Sequence, residues 1–177
     1  AGKPHVMTET NFQAPNDYIS EGGITLGAYA GLQDMDAVFV FGWANFQSTF
    51  QESHFSFFVE SGYHPALLTN LYLGGLLFRT FDLTATSKTW QVAMDATTEL
   101  DTILAKGKAW RVVDMSYRGF PMQAALLGRP EMNLAAGAKD SAFPDLTGVT
   151  RFEPDTGELS WDTAARQVLV HSARSRG

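Results

Sequence analysis

The stretch Asp36 to Trp43, "DAVFVFGW", is a near-continuous run of apolar and aromatic residues rich in Val and Phe. Runs of that kind suit strands covered on both faces, as the parallel strands of α/β proteins are, and this one predicts a central strand. Upstream, "HVMTE", His5 to Glu9, is a second short apolar run, and it ends on a carboxylate. Between the two, Tyr18 to Gln33 follows Pro15-Asn16-Asp17 and carries Ile19, Leu26, Tyr29 and Leu32 at roughly helical spacing, with Asn16 or Asp17 as the expected N-cap. Gly22, Gly23, Gly27 and Gly31 interrupt that segment. Each costs up to about 1 kcal/mol relative to alanine inside a helix, so their presence predicts close packing against a sheet. Downstream, Pro65 to Phe81 predicts a second helix, with Leu68, Leu71, Tyr72, Leu76 and Phe78 as its apolar stripe and Pro65 in its first turn. Two βα units in series result.

After Phe81 the character changes, which places a domain boundary near residue 82 and divides the chain into 1–81 and 82–177. "TATSKTWQVAM" alternates like a strand, and "DATTELDTILAKGK" reads as a short helix with Gly107 at its end. "GVTRFEPDTGELSWD" holds two alternating runs around Pro154-Asp155-Thr156-Gly157, a hairpin signal, and "ARQVLVHSA" is a further strand. The second portion is therefore expected to be β-rich, with Trp90, Trp110 and Trp161 anchoring it against the first.

Composition bounds the function. The 177 residues are 45% hydrophobic and 18% charged, enough apolar material for a core in one domain or two unequal pieces. A formal net charge of −6 with no Lys/Arg cluster argues against nucleic acid or an anionic membrane as partner. With no Cys, disulfides and thiolate metal sites are excluded. No apolar run reaches the roughly 18 residues of a membrane span, and "AGKPHV" has no signal-peptide pattern. The histidines at 5, 54, 64 and 171 lie far apart, with Glu60/His64 a chance spacing, so no metal site is expected. Gly22-Gly23 and Gly74-Gly75 lack the form of a phosphate loop, and Ser141 and Ser172 lack a Gly-x-Ser-x-Gly setting. Because two βα units alone bury their strands poorly, and the chain opens just before its first strand, the whole reads as a piece of a larger α/β protein.

The residues that decide among the remaining functions are "KPHVMTETN", "APNDYISEG", "LGAYAGLQDMDAVFVFGWAN" and "GYHPALLTNLYLGGLLFRTFDL". In order and spacing they resemble the last quarter of the catalytic (β/α)8 barrel of clan A glycoside hydrolases. "TGELSWD" with "QVLVHSARSRG" resembles the β-rich segment that follows the barrel in some bacterial members. The resemblance covers residues 3–81 strongly and 82–145 weakly. It implies that "HVMTE" and "DAVFVFGW" are barrel strands seven and eight, and that the helices at 18–33 and 65–79 are the seventh and eighth.

The resemblance gives Glu9 a role, where the residue alone reads as a solvated loop glutamate. Barrel active sites sit at the C-terminal ends of the strands, and in this clan the glutamate ending strand seven is the nucleophile. Retaining hydrolysis needs two carboxyl groups about 5 to 5.5 Å apart, one ionised to attack the anomeric carbon and one protonated to release the leaving oxygen. Thr8, Thr10 and Asn11 are the nearby groups expected to hydrogen-bond Glu9, and Asn11 is also expected to bind the substrate. Trp43, at the end of the second strand, is expected either to stack on a sugar ring or to continue the buried run. Asn45, Gln47, Glu52 and His54 lie in the following loop, where polar groups bind sugar hydroxyls. The second carboxylate belongs, in the family, after an asparagine at the end of strand four, and no such strand exists in these residues. The implied function is thus a fragment of a retaining glycosidase that cleaves poly- or oligosaccharides. It carries the nucleophile, is inactive alone, needs no cofactor, is completed by the upstream barrel half, and is exported to an extracellular or periplasmic home. The alternative is a non-catalytic carbohydrate-binding or structural module in which the aromatics of the tail bind glycan.

Overall fold

Strands β1 (Val6–Thr10) and β2 (Ala37–Val40) lie side by side in the same direction, with Val6 opposite Ala37, Met7 opposite Val38 and Thr10 opposite Val40. Parallel strands need a crossover connection of a dozen residues or more, usually a helix, to bring the chain back. Here it is α1 (Gly22–Leu32), preceded by a 3₁₀ turn at Ile19–Glu21. Helix α2 (Pro65–Arg79) follows β2. The structure, a computed structural model, describes residues 3–44, 58–106 and 115–177. These elements belong to the first of two units, Ala1–Ala85 with Val168–Gly177; the second is Thr86–Gln167.

The start of α1 differs from expectation. Asn16 does not cap it: its Oδ1 accepts the Tyr18 backbone N–H at 2.9 Å, closing a turn ahead of the 3₁₀ segment. Two glycines of α1, Gly23 and Gly27, find a different partner, because they face α2 and not the sheet, while Gly22 abuts the Phe12 side chain and Gly31 abuts Leu83. A Cβ on Gly23 would overlap the Asn70–Leu71 backbone, one on Gly27 would overlap Gly74, and one on Gly74 would overlap the Gly23 carbonyl. Backbone therefore lies on backbone where the two helices cross, an approach that only residues without a side chain permit. Asn70 Nδ2 donates to the Ser20 carbonyl at 2.5 Å beside this seam.

The seam also sets how α2 is rotated about its axis. Its buried positions are Leu67 and Gly74, whereas Tyr72 and Leu76, expected in the buried stripe, are exposed. Leu71 and Phe78 of that stripe do turn inward, where with Val38 and Val40 they border a space of about 270 Å³ under α1. At the helix start Pro65 occupies the first turn, as expected, and His64 Nδ1 accepts the Leu67 N–H at 3.0 Å. That bond satisfies a backbone donor the helix itself leaves unpaired.

Among the described residues the sheet of the first unit consists of β1 and β2, and Phe39 is 59% exposed, so the expectation of a strand covered on both faces fails. The described residues of this unit close no barrel. Its last segment enters through β7 (Gln167–Val170), after which Val170 and Gly177 exchange backbone hydrogen bonds of 2.7 and 2.9 Å.

The second unit is mixed, where the alternating sequence patterns suggested β-rich. Strands β3 (Thr89–Ala93) and β4 (Arg129–Asn133) pair in parallel, joined through α3 (Ala96–Lys106) and 3₁₀ turns at Met115–Arg118 and Met122–Leu126. Pro130 hides β4 from a sequence reading; it is tolerated because, among the described residues, β4 has β3 as its one strand neighbour. Asp95 caps α3 by accepting the Thr98 N–H at 2.9 Å, and that bond holds its carboxyl below the ordinary range. Trp90 is buried within this unit, its Nε1 donating to the Ala124 carbonyl at 3.0 Å, so its anchoring role is internal. The expected hairpin is present as β5 (Arg151–Phe152) and β6 (Leu159–Asp162), antiparallel about the Pro154–Gly157 turn.

That turn is latched. Asp155 accepts the Thr86 hydroxyl at 2.6 Å, the Ser87 backbone N–H at 3.1 Å and the Ser87 hydroxyl. The Ser87 hydroxyl, followed by that of Thr86, holds the Asp155 carboxyl below the ordinary range. A carboxyl lowered in the folded state contributes stability above its unfolded value of about 3.9, and that contribution is lost as pH falls through the folded value. Thermal unfolding measured between pH 6 and pH 3 is therefore expected to lose less stability in Asp155→Asn than in the parent chain. Equal losses would show that the latch does not contribute.

Candidate active site

The position of Glu9 follows from an irregularity in the β1–β2 pairing. Met7 is opposite Val38 and Thr10 is opposite Val40, so Thr8 and Glu9 together stand against Phe39 alone. Two residues against one is a β-bulge, a device that re-aims side chains at the ends of strands. Strict alternation from Met7, whose partner Val38 borders the space under the helices, would send Glu9 to the helix side. With the extra residue, Thr8 and Glu9 are both exposed, while Met7 and Thr10 are half-buried. Glu9 thus stands on the uncovered side of the sheet, at the C-terminal end of its strand.

Aromatic residues share that region. Val38 and Val40 face the helices, so Phe39 between them projects from the open face. Beyond the strand end, Phe41 and Trp43 are 43% and 59% exposed. The stacking alternative for Trp43 therefore keeps an uncovered ring, and the buried-run alternative does not describe it. A carboxylate together with an exposed aromatic face can bind a pyranose, whose C–H groups pack on the ring while its hydroxyls meet the charge.

The rim is fastened by a third stretch of chain, 59–62. Phe41 N–H donates to the Thr10 carbonyl at 2.9 Å, Gly42 N–H to Val59 at 3.1 Å, Ser61 N–H to Gly42 at 3.0 Å and Gly62 N–H to Trp43 at 3.0 Å. The Phe41–Gly42 peptide bond is cis. Asn11 adds side-chain bonds to this lattice: its Nδ2 lies 2.8 Å from the Phe41 carbonyl, 2.5 Å from that of Val59 and 3.3 Å from Ser61 Oγ, while its Oδ1 accepts the Phe12 N–H at 2.8 Å. The polar groups of Asn11 are thus engaged with the backbone and do not reach Glu9. Among the described residues none donates a hydrogen bond to the Glu9 carboxylate, Thr8 and Thr10 included.

Glu60 and Ser61, each 1% exposed, are buried in the segment that fastens the rim. The sequence marked Glu60 only for its spacing to His64, which in the structure caps a helix. Nothing local in the sequence points to Ser61, because its partner Asn11 lies 50 positions away. Asn45, Gln47, Glu52 and His54, expected beside the substrate, lie outside the described residues, as does Trp110. Among the described residues no group of three His, Asp or Glu side chains is placed to hold a metal, and no helix is long and apolar enough to cross a membrane. Compared with models of protein families, with curated proteins and with solved structures, the chain matches none.

Proposed function

We propose that this chain carries the nucleophile of a retaining glycoside hydrolase acting on poly- or oligosaccharides, with Glu9 as that nucleophile and Trp43 as a stacking surface for the sugar. The observation that carries this reading is the bulge opposite Phe39, which supports it by turning Glu9 onto the open face of a parallel strand pair, at the strand ends where α/β folds place their chemistry. The resemblance to the last two strands of a clan A barrel supports it independently of that geometry. In the proposed reaction the Glu9 carboxylate attacks the anomeric carbon, the glycosidic C–O bond breaks, and the resulting ester is hydrolysed by water with retention of configuration. The acid that protonates the departing oxygen comes from another strand of the barrel, in the half that completes this one. The chain alone is then inactive on ordinary glycosides.

The proton is needed only when the departing group is a poor one. Dinitrophenolate leaves as a stable anion, so a 2-deoxy-2-fluoro glycoside of dinitrophenol tests the nucleophile without the acid: carboxylate oxygen bonds to carbon, and dinitrophenolate departs unprotonated. With a panel of gluco, galacto, manno and xylo reagents, mass spectrometry is expected to find one fluoroglycosyl group on the peptide that contains Glu9. A label elsewhere, or none across the panel, contradicts the proposal. A protein that binds glycan through exposed Trp161 without any label is the non-catalytic alternative.

A further inference from the structure

We infer that Asn11 is a positioning residue, a clamp that holds Glu9 and Trp43 in fixed relation, and not a contact to the sugar. The inference rests on the glycosidase reading for its kinetic consequence only; the clamp itself stands on geometry. Asn11 is the first residue beyond β1 and lies two positions after Glu9. An amide nitrogen has two hydrogens. The two shortest contacts of Asn11 Nδ2 are the carbonyls of Phe41, at 2.8 Å, and Val59, at 2.5 Å, one on each of the other two strands of chain at the rim. Phe41 lies two positions before Trp43, and the Trp43 carbonyl is held by Gly62, three residues past Val59. The Val59 carbonyl accepts from Gly42 N–H as well, so it is the point where all three stretches meet. Asn11 Oδ1, taken by Phe12 N–H, fixes the amide orientation. Loss of these bonds takes from the Phe41 carbonyl its Asn11 donor, leaves the Val59 carbonyl with Gly42 N–H alone, and frees the rim to relax between the carboxylate and the indole. A displacement of about 1 Å at a reacting pair is enough to cost on the order of 100-fold in rate.

The test has two arms. In this chain labelled with 5-fluorotryptophan, each of the four tryptophans gives a fluorine resonance, and Trp43→Phe assigns that of Trp43. Asn11→Ala is expected to shift or broaden the Trp43 resonance while those of Trp90 and Trp161 stay in place, and Asn11→Ser, which keeps one hydroxyl donor, is expected to recover part of the change. An unmoved Trp43 resonance in the folded variant overturns the clamp; if Asn11→Ala does not fold, Asn11→Ser carries the same reading. In the hydrolase that contains this chain, Asn11→Ala is expected to lower kcat about 10- to 100-fold with KM within about twofold. A raised KM at unchanged kcat identifies a sugar contact and overturns the inference. Absence of hydrolysis in the unsubstituted protein, or full activity in Glu9→Gln, defeats the glycosidase reading instead and leaves the fluorine arm to decide the clamp.

Discussion

If the proposed glycosidase reading holds, Glu9→Gln is expected to reduce hydrolysis by the proposed complete enzyme on the order of 10⁴- to 10⁶-fold, the range that follows removal of a member of a covalent catalytic unit. Glutamine keeps the shape of the side chain and removes the negative charge that, in the proposed reaction, attacks the anomeric carbon. The same substitution is expected to leave stability within about 0.5 kcal/mol, because Glu9 is exposed and its carboxylate has no hydrogen-bond partner among the described residues. Steady-state kinetics and thermal unfolding of one variant therefore separate chemistry from folding. Full activity in Glu9→Gln contradicts the nucleophile assignment, and loss of activity together with the fold says that Glu9 is structural.

The largest structural effect is expected at Gly74. Alanine there places a methyl group on the Gly23 carbonyl oxygen, an overlap of backbone with backbone that no rotamer relieves. Overpacking of a tight contact costs about 1 to 3 kcal/mol, and a rigid partner puts Gly74→Ala at the upper end or beyond. The neighbouring residue supplies the control, since a Cβ on Gly75 meets nothing within 4 Å. Gly75→Ala is expected to be neutral or to stabilise by up to about 1 kcal/mol through helix propensity. Denaturant unfolding of the two variants reads the difference directly. Equal effects would mean that α1 and α2 do not cross at the glycine seam.

Elements of both units were legible where the signal is local. The apolar runs at 5–9 and 36–43, the helix from Pro65 and the hairpin about Pro154–Gly157 all follow from patterns within a dozen residues. Long-range choices were not legible. Nothing in "VMTET" announces that Thr8 and Glu9 share one partner, because a bulge is a property of the pairing and not of either strand. Gly23 and Gly27 of α1 signal a close approach without saying to what, and the partner proved to be Gly74 some 50 residues on. Tyr72 and Leu76 follow helical spacing as well as Leu67 does; the seam, invisible in the periodicity of α2, decides which face is inward. β4 escaped because Pro130 contradicts strand propensity and an edge position tolerates it. The locations of Glu9 and Trp43 at strand ends were legible, whereas the engagement of Asn11 with Phe41 and Val59 depends on segments 30 and 48 positions away.

The face on which Glu9 stands is tested most directly by nuclear Overhauser contacts across the β1–β2 pair in this chain. Contacts from Thr8 and Glu9 side-chain protons to the Phe39 ring, with Val38 and Val40 methyls contacting Leu71 and Gly74, are the expected result. Contacts from Glu9 to Leu71 or Ala30 would place the carboxylate beneath the helices and contradict the account.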